Sequence, residues 1–231
     1  VMPHGHAAGQ RMKLTRTQLG WSRSAIRSSI VAVTVGRGNA KSTWAGAFAL
    51  WTLLDPPPGD IAPEISAVAA SREQARSGVF QTALDMLALA PEWLQDHVHY
   101  YSDSANPRIA CSNGGNLRIR AAQAGKLQGQ INSLSILDEI GVVPDPKVWQ
   151  ALVTGLGKRP GSTVIGIGTP WQPDGVLFDL KMQADSGKLP PDIAFHDHSL
   201  PASADIEDRK LWRRANPVRA ELDPSGWLHT L

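Results

Sequence analysis

Eight residues near the start of the chain have the composition of a phosphate-binding loop. In order they are Gly36, Arg37, Gly38, Asn39, Ala40, Lys41, Ser42 and Thr43. Backbone N–H groups at a helix N-terminus bind anions, and small residues let the backbone approach them closely. Lys41 would reach the outer phosphates of a nucleotide, and the Ser42 hydroxyl would bind magnesium. The segment therefore predicts a site for a nucleoside triphosphate.

The loop departs from the usual pattern G-x-x-x-x-G-K-[ST], because Val35 and Ala40 stand where that pattern has glycine. A methyl group at Ala40 could crowd the bound phosphates. A glycine-bearing turn followed by a capping serine would have the same composition. The loop alone therefore does not distinguish a turn from a nucleotide site.

Two adjacent carboxylates, Asp138 and Glu139, follow the apolar run Leu134–Leu137. Hydrolysis of a nucleoside triphosphate needs one acid to hold magnesium and a second to orient or deprotonate the attacking water. Asp138 and Glu139 fit those roles in that order. Thr169, in a Gly-Thr-Pro turn after a further apolar run, could sense the terminal phosphate. Each feature is common by chance, but their order downstream of the loop favours a nucleotide site.

Apolar runs alternate with helical patterns along most of the chain. The predicted strands are Ser29–Val35, Ile65–Ala70, Leu134–Leu137 and Thr163–Ile167, with a hairpin or small meander between Val98 and Ala122. The predicted helices are Lys41–Leu54, Arg72–Leu89, Pro146–Leu156 and Val176–Gln183. The alternation predicts an α/β protein of the P-loop NTPase class, with a mainly parallel central sheet flanked by helices and a short C-terminal linker segment.

Composition excludes several other classes of protein. With 42% hydrophobic and 19% charged residues, and 23 Lys+Arg against 21 Asp+Glu, the chain is neither disordered nor fibrous. No apolar run approaches the roughly 18 residues that a membrane span needs, which excludes an integral membrane protein. The one cysteine, Cys111, cannot close an internal disulfide, which fits a reducing cytoplasm. Five tryptophans are expected to pack in cores, namely Trp21, Trp44, Trp51, Trp93 and Trp149.

The length of 231 residues predicts one compact domain with an appendage. Residues 1–15 lack the order of a secretory signal and are expected to be an N-terminal tail. Residues 16–187 carry the alternation and are expected to form the ATPase domain. Residues 188–231 are proline-rich and charged without a strong strand pattern, which predicts a linker with a short helix at about Asp208–Ala215.

The loop Gly36–Ser42, the strand end Ile136–Glu139 and the turn Gly168–Pro170 together resemble the ATPase domain of tailed-bacteriophage large terminase subunits in order and spacing. The segment Trp212–Pro217 is similar to a W-x-x-A-N-P stretch that follows the ATPase core in one branch of that family. The resemblance spans about residues 16–217. Phosphate loops of this family typically carry a basic residue near their start and often depart from the strict pattern.

The resemblance implies an ATPase that uses ATP and Mg²⁺ to package double-stranded viral DNA into a procapsid, in the cytoplasm of the bacterial host. The implied partners are double-stranded DNA, the portal or procapsid and the small terminase subunit, with no membrane. A homo-oligomeric ring is expected on assembly and a monomer in isolation. Members usually carry a C-terminal nuclease, but fewer than fifty residues follow Gly187, so no nuclease activity is expected from this chain.

The site residues are assigned on this basis. Nucleotide binding is assigned to Gly36, Arg37, Gly38, Asn39, Ala40, Lys41, Ser42, Thr43 and Thr169. Magnesium is assigned to Ser42 and Asp138, and catalysis to Glu139 and Arg37. Ring motors complete a site with an arginine from the neighbouring subunit, and Arg120 is the candidate for that role. A solvated hairpin face is an equally good account of Arg120.

Two alternatives remain. A helicase-like, nucleic-acid-dependent ATPase predicts further nucleic-acid motifs and a second motor domain, and neither is visible in the sequence. An inactive prophage remnant that binds nucleotide is favoured by Ala40 and by the missing nuclease. It is disfavoured by the intact Lys41, Ser42, Asp138 and Glu139.

Overall fold

The computed structural model describes residues 1–3, 8–102, 106–143, 145–169, 175–201, 203–205 and 207–223. The strands are β1 (Ile30–Thr34), β2 (Glu64–Ala69), β3 (Val98–Tyr101), β4 (Arg108–Cys111), β5 (Asn116–Ala121), β6 (Leu134–Asp138), β7 (Thr163–Gly168) and β8 (Ile193–Asp197). The first helices are α1 (Arg16–Arg27), α2 (Lys41–Leu54), α3 (Arg72–Ala75), α4 (Gln81–Ala88) and α5 (Glu92–Gln95). The later helices are α6 (Ala124–Leu127), α7 (Pro146–Val153), α8 (Val176–Asp185), α9 (Arg209–Ala215) and α10 (Pro217–Leu222).

Within the described residues the strands form one sheet in the order β3-β4-β5-β2-β6-β7-β1-β8. In this spatial order, each strand from β5 through β2, β6, β7 and β1 to β8 is parallel to the next. At the other edge, β3 pairs antiparallel with β4, and β4 pairs antiparallel with β5. Every residue of β1, β6 and β7 is buried, as expected for parallel strands with helices on both faces. The predicted α/β fold with a mainly parallel sheet and a meander at residues 98–122 is confirmed.

The two faces of the sheet carry separate apolar layers. One layer is built around Trp21 of α1 and Trp44 of α2, whose rings meet edge to face at 5.4 Å. The other layer includes Leu127 of α6 and Val148 of α7. Successive residues of a strand point to opposite faces, so each buried strand feeds both layers.

Two of the tryptophan predictions were wrong. Trp51 is 44% exposed and Trp93 is 65% exposed. Trp51 lies in the last turn of α2, and Trp93 belongs to α5, a helix of four residues with no buried member. The direction in which each of these side chains faces depends on packing that the sequence does not display.

The sheet positions the predicted site by bringing three strand ends together. Because β6, β7 and β1 are parallel neighbours, their carboxyl ends lie at one edge of the sheet. Thr34 of β1 pairs with Gly168 of β7, and Asp138 of β6 pairs with Ile167 of β7. The loop after β1, the acidic pair after β6 and Thr169 after β7 therefore meet at this edge.

The helix predicted over Arg72–Leu89 is interrupted. After α3 the chain forms one wide π-helical turn over Arg76–Phe80 before α4 begins. Within that turn Gly78 has non-helical backbone angles, φ −89° and ψ −117°. A glycine inside a helical pattern is tolerated in a helix, so the sequence does not reveal the kink.

Both ends of the predicted ATPase domain extend further than expected. Residues 193–197, predicted as linker, form β8 and pair in parallel with β1, so the expectation of no strand after Gly187 was wrong. Beyond it, Val218 of α10 is fully buried in the core. Met12 and Leu14, predicted as tail, pack against the same core. The β8 residues are all half-buried, so their sequence lacks the apolar signal of a central strand. The short helix predicted near Asp208–Ala215 is confirmed as α9.

Two histidines, His196 in β8 and His198 just after it, contact side chains of α1. His196 Nε2 lies 2.8 Å from Ser24 Oγ, and Trp21 Nε1 donates to His198 Nε2 over 3.4 Å. Burial lowers the pKa of both imidazoles below the usual value; the charge of His198 adds to this effect at His196, whereas Asp197 opposes it at His198. Both histidines are therefore neutral in the folded protein at neutral pH.

No helix among the described residues is long and apolar enough to cross a bilayer.

We expect the contribution of His196 and His198 to the stability of the folded protein to be lost as the pH falls below about 6.5, where histidines of the unfolded chain take up protons first. The contribution of these two neutral histidines to the free energy of unfolding is complete above that pH. It declines below that pH, because the pKa values of both histidines are lower in the folded protein than in the unfolded chain. Thermal unfolding at pH 7.5 and 5.5 measures the loss. A His196→Asn/His198→Asn variant should lose less over this interval than the wild type. A matched His97→Asn/His99→Asn variant, changed at two histidines of the same spacing, should behave as the wild type; equal losses in all three would contradict the assignment.

Candidate active site

The loop after β1 has two residues with left-handed backbone conformations, of which only one is a glycine. Val35 N donates to Gly168 O over 3.1 Å, which continues the β1–β7 pairing, and α2 begins at Lys41 with Trp44 N donating to Ala40 O over 2.9 Å. Between these points Gly38 has φ 78° and Ala40 has φ 51°, both left-handed. A left-handed conformation costs a residue with a Cβ about 1–2 kcal/mol. This explains why glycine is usual at the position of Ala40: the cost of alanine arises in its backbone.

The acidic pair and the loop lysine are in direct contact. Lys41 Nζ lies 2.9 Å from Glu139 Oε1, with the two side chains 10% and 26% exposed. Glu139 Oε2 accepts from Thr169 Oγ1 at 3.3 Å and from Thr169 N at 3.4 Å. Glu139 itself has φ 53°, a second left-handed residue with a side chain. Such backbone outliers cluster at functional sites, where the surrounding contacts hold them in place.

Asp138 is the buried member of the pair. Glu139 N donates to Asp138 Oδ1 over 3.0 Å. Burial, with the negative charge of Glu139 beside it, raises the pKa of Asp138 to about 6, against the opposing effects of Lys41 and of the Glu139 N–H. A buried carboxylate of this kind favours a neighbouring cation, because a positive charge would stabilise its ionised form.

The π-helical turn approaches Asp138 at Gly78. A Cβ built on Gly78 would lie 2.5 Å from Asp138 Oδ2, which is closer than side-chain atoms pack. The missing side chain and the kinked backbone of Gly78 thus leave room for the carboxylate. The sequence contained no signal for this contact, because the two residues are far apart in the chain.

A cavity of about 470 Å³ opens at Lys41, Glu139 and Thr169. Its lining residues are Arg37, Gly38, Lys41, Gln74, Glu139, Val142 and Thr169. The volume falls in the range of ligand sites, and the lining brings cationic, acidic and hydroxyl groups together. Gln74 and Val142 were not assigned to the site from the sequence. Gln74 lies just after β2, whose carboxyl end is at the same sheet edge.

The other predicted site residues do not line this cavity; they are Gly36, Asn39, Ala40, Ser42, Thr43, Asp138 and Arg120. Ser42 and Thr43 are half-buried in the first turn of α2, and Asn39 is 1% exposed and bonded within the protein. Arg120 lies on β5, which β2 separates from β6, and it does not line the cavity. Its Nε is buried with no hydrogen-bond partner among the described residues. Pro170, the last residue of the predicted turn, lies outside the described residues.

Asp138 and Ser42 carry oxygen groups that could serve as metal ligands. Among the described residues no three His, Cys, Asp or Glu side chains are grouped to hold a metal. Mg²⁺ is usually bound by one or two carboxylates together with substrate phosphates and water, and it prefers oxygen ligands. The Asp138 carboxylate and the Ser42 hydroxyl are oxygen groups of the kind that Mg²⁺ prefers.

The mainly parallel sheet with a loop of this kind after β1 is the fold of a P-loop NTPase domain. The family described as "Terminase large subunit, ATPase domain" matches residues 11–171, and the chain belongs to this family. The terminase large subunit of Enterobacteria phage HK97 is 28% identical over an alignment of 224 residues that covers 94% of this chain and 44% of the relative. The chain thus spans less than half the length of that relative.

Solved structures agree with this membership. The crystal structure of the HK97 large terminase matches 92% of this chain and 45% of its own, with a TM-score of 0.77 and 26% identity. The large terminase ATPase domain of Thermus phage P74-26 has a TM-score of 0.60 and 17% identity, with 85% of each chain covered. The large terminase of a thermophilic bacteriophage in complex with ADP has a TM-score of 0.58 and 10% identity, with 87% of this chain and 50% of that chain covered. The last two show the same fold.

We expect Gly78→Ala to destabilise the protein by about 1–3 kcal/mol, because the added methyl group would overlap the Asp138 carboxylate. Thermal unfolding of the purified variant measures the effect. Gly125→Ala is the matched control, since a Cβ on this α6 glycine meets nothing within 4 Å. If both variants unfold at the temperature of the wild type, the close approach of Gly78 to Asp138 is not present in solution.

Proposed function

We propose that this chain hydrolyses ATP with Mg²⁺ and that hydrolysis drives the packaging of double-stranded viral DNA into a procapsid. The observation that carries the proposal is the contact of Lys41 with Glu139, which Thr169 also binds, beside the buried Asp138. Membership of the terminase ATPase family and the ADP complex of the thermophilic phage relative support a nucleotide as the ligand.

The phosphates of ATP would lie on the loop Gly36–Thr43. Backbone N–H groups at the start of α2 would bind the phosphate oxygens, where the helix dipole also favours negative charge. Lys41 would pair with the outer phosphates. Arg37 is exposed and lines the cavity, so it would add positive charge near the terminal phosphate from within the same subunit.

Glu139 would orient and activate the attacking water. In the structure its Oε1 is paired with Lys41 and its Oε2 with Thr169. A triphosphate on the loop would compete with Oε1 for Lys41, which would leave Oε1 available to accept a hydrogen bond from water. Thr169 would continue to hold Oε2. The carboxylate would thus remain oriented when its cationic partner is taken by the substrate.

Asp138 and Ser42 would hold Mg²⁺, which when bound neutralises the charge that develops on the phosphate oxygens. The raised pKa of Asp138, caused mainly by burial, is consistent with this role. Glu139, whose carboxylate already has two partners, is reserved for water in this assignment.

The proposed partners are those of the longer terminase subunits: double-stranded DNA, the portal or procapsid and the small terminase subunit. The proposed place of action is the cytoplasm of the bacterial host, with a monomer in isolation and a homo-oligomeric ring on assembly. The HK97 relative supports a role in a phage terminase, since it is a terminase large subunit that matches 94% of this chain.

We expect Lys41→Ala to lower kcat/KM for MgATP by about 100-fold or more, because the loop loses its charge on the transferring phosphoryl group. Steady-state phosphate release, with and without double-stranded DNA, measures this. Lys188→Ala, at an exposed lysine of the C-terminal half, is the control and should be unaffected. Wild-type turnover by Lys41→Ala would refute the assignment of the loop.

The two acids should behave differently. Glu139→Gln is expected to bind MgATP as the wild type does but to lose about 10²–10⁴-fold in kcat, as for removal of a general base. Asp138→Asn should in addition raise the magnesium concentration needed for half-maximal binding. Nucleotide binding at varied magnesium and single-turnover hydrolysis separate the two effects. Wild-type protein that binds MgATP without turnover, alone or on assembled motors, would instead identify an inactive nucleotide-binding protein.

We propose Arg120 as the arginine that completes a neighbouring subunit's site. It lies near the carboxyl end of β5 and outside the cavity of its own subunit, which is compatible with action on a neighbour. Arg120→Ala alone and Glu139→Gln alone should then be nearly inactive at assembling concentrations, since such an arginine contributes about 10³-fold or more. Mixing the two should restore part of the activity, because some interfaces pair an intact site with an intact arginine. Full activity of Arg120→Ala would exclude the residue.

A further inference from the structure

The C-terminal helices pack directly on the phosphate loop. We call residues 209–222, which form α9 and α10, the C-terminal arm. Its Ala215 O accepts from Gly36 N at 3.4 Å, and its Asn216 Oδ1 accepts from Asn39 Nδ2 at 2.9 Å. Arg219 N donates to Asn39 Oδ1 over 3.4 Å. The arm therefore contacts the loop on backbone and side-chain groups that precede Lys41.

Asn39 connects the arm to the loop. Its side-chain nitrogen also donates to Gly36 O at 2.9 Å. The Asn39 amide therefore connects the first residue of the loop to Asn216 of the arm. Asn39 is 1% exposed, which means that these contacts replace water almost completely. A buried amide that lost its partners would be left unsatisfied, so the contacts favour one loop conformation.

The arm also approaches two glycines of the loop, one of them very closely. A Cβ on Gly36 would lie 2.9 Å from Asn216 Oδ1 and 3.3 Å from Ala215 O. A Cβ on Gly38 would lie 3.4 Å from Cδ and Nη1 of Arg219. A side chain at Gly36 would therefore require the Asn216 side chain to shift. At Gly38 the contact with Arg219 would be an ordinary van der Waals contact, and it is the positive φ of 78° that favours glycine there.

The arm is anchored independently of the loop. Val218 is fully buried in the core, and Glu221 at the far end of α10 accepts from Arg16 N at 2.6 Å and from Thr17 N at 3.1 Å. A carboxylate at the N-terminus of α1 is also favoured by the helix dipole. Asn216 is held in turn by Trp212 O, which accepts from its side-chain nitrogen at 3.0 Å. The arm can therefore act as a fixed support for the loop.

We propose that Asn216 is a positioning residue of the nucleotide site: through Asn39 it holds the phosphate loop in the shape that binds phosphate, so that docking of the C-terminal arm and nucleotide binding favour each other. The proposal rests on the proposed function, because it assumes that the loop binds ATP. The coupling is reciprocal by thermodynamic necessity. Bound nucleotide must therefore stabilise the docked arm by the same free energy by which the docked arm stabilises bound nucleotide.

The first experiment measures the effect of the arm on the loop without nucleotide. Hydrogen exchange of the backbone amides of residues 36–43 should be faster in Asn216→Ala than in the wild type. Asn113→Ala is the matched control, since Asn113 also makes two amide hydrogen bonds, to Leu53 O and from Gly115 N, but lies in the β4–β5 turn. Unchanged exchange of the loop in Asn216→Ala, or the same increase in both variants, would overturn the proposal. Asn216→Ser tests the same contact if the alanine variant does not fold.

The second experiment measures binding and turnover of MgATP. Asn216→Ala should raise Kd and KM by about five- to tenfold, as expected for loss of one or two buried hydrogen bonds, with kcat unchanged at saturation. In an Asn39→Ala background the same substitution should have no further effect, because the contact it acts through is gone. Additive effects of the two substitutions, or a wild-type Kd in Asn216→Ala, would overturn the proposal. Failure of the wild type to bind MgATP would refute the proposed function itself, and the loop exchange measured without nucleotide distinguishes the two failures.

Discussion

The side-by-side order of β6, β7 and β1 is the constraint on which the site depends. Their carboxyl ends bring Asp138, Thr169 and the phosphate loop to one edge, although these residues are distant in the chain. The register matters as much as the order. A slip of one residue would exchange Asp138 with Leu137, which packs in the apolar layer around α6 and α7. Burial of the leucine therefore helps to keep the carboxylate where it can act.

Two residues with side chains adopt left-handed backbone conformations at this edge, Ala40 and Glu139. Each costs about 1–2 kcal/mol relative to an ordinary conformation, so the neighbouring structure must hold them. At Glu139 the holding contacts are those with Lys41 and Thr169, which are also the contacts proposed for catalysis. At Ala40 the first hydrogen bond of α2 is made by its carbonyl. The strain thus lies at the two residues that aim the carboxylate and start the binding helix.

The sequence was sufficient for features that depend on neighbouring residues. The strand, loop and helix around Lys41 and the strand before Asp138 were predictable because their apolar patterns are local. Contacts between distant segments were not predictable in this way. Asn39 and Asn216 are 177 positions apart, and β8 is a half-buried edge strand without a strong apolar signal. Trp51 shows the same limit, since its helix was predicted correctly but its exposed position was not.

The positions of glycine in the loop differ from those of the usual phosphate-loop pattern, and the structure gives a reason at each position. Val35 can replace the first consensus glycine because it continues β1, bonded to Gly168 and fully buried in the core. Ala40 replaces the second at a backbone cost. Glycine is instead present at position 36, where the C-terminal arm approaches to 2.9 Å of the place that a Cβ would take, and at position 38, where φ is positive. The glycine at position 36 therefore reflects the arm packed behind the loop as well as the phosphate expected in front of it, and a motif search limited to the phosphate would miss that contact.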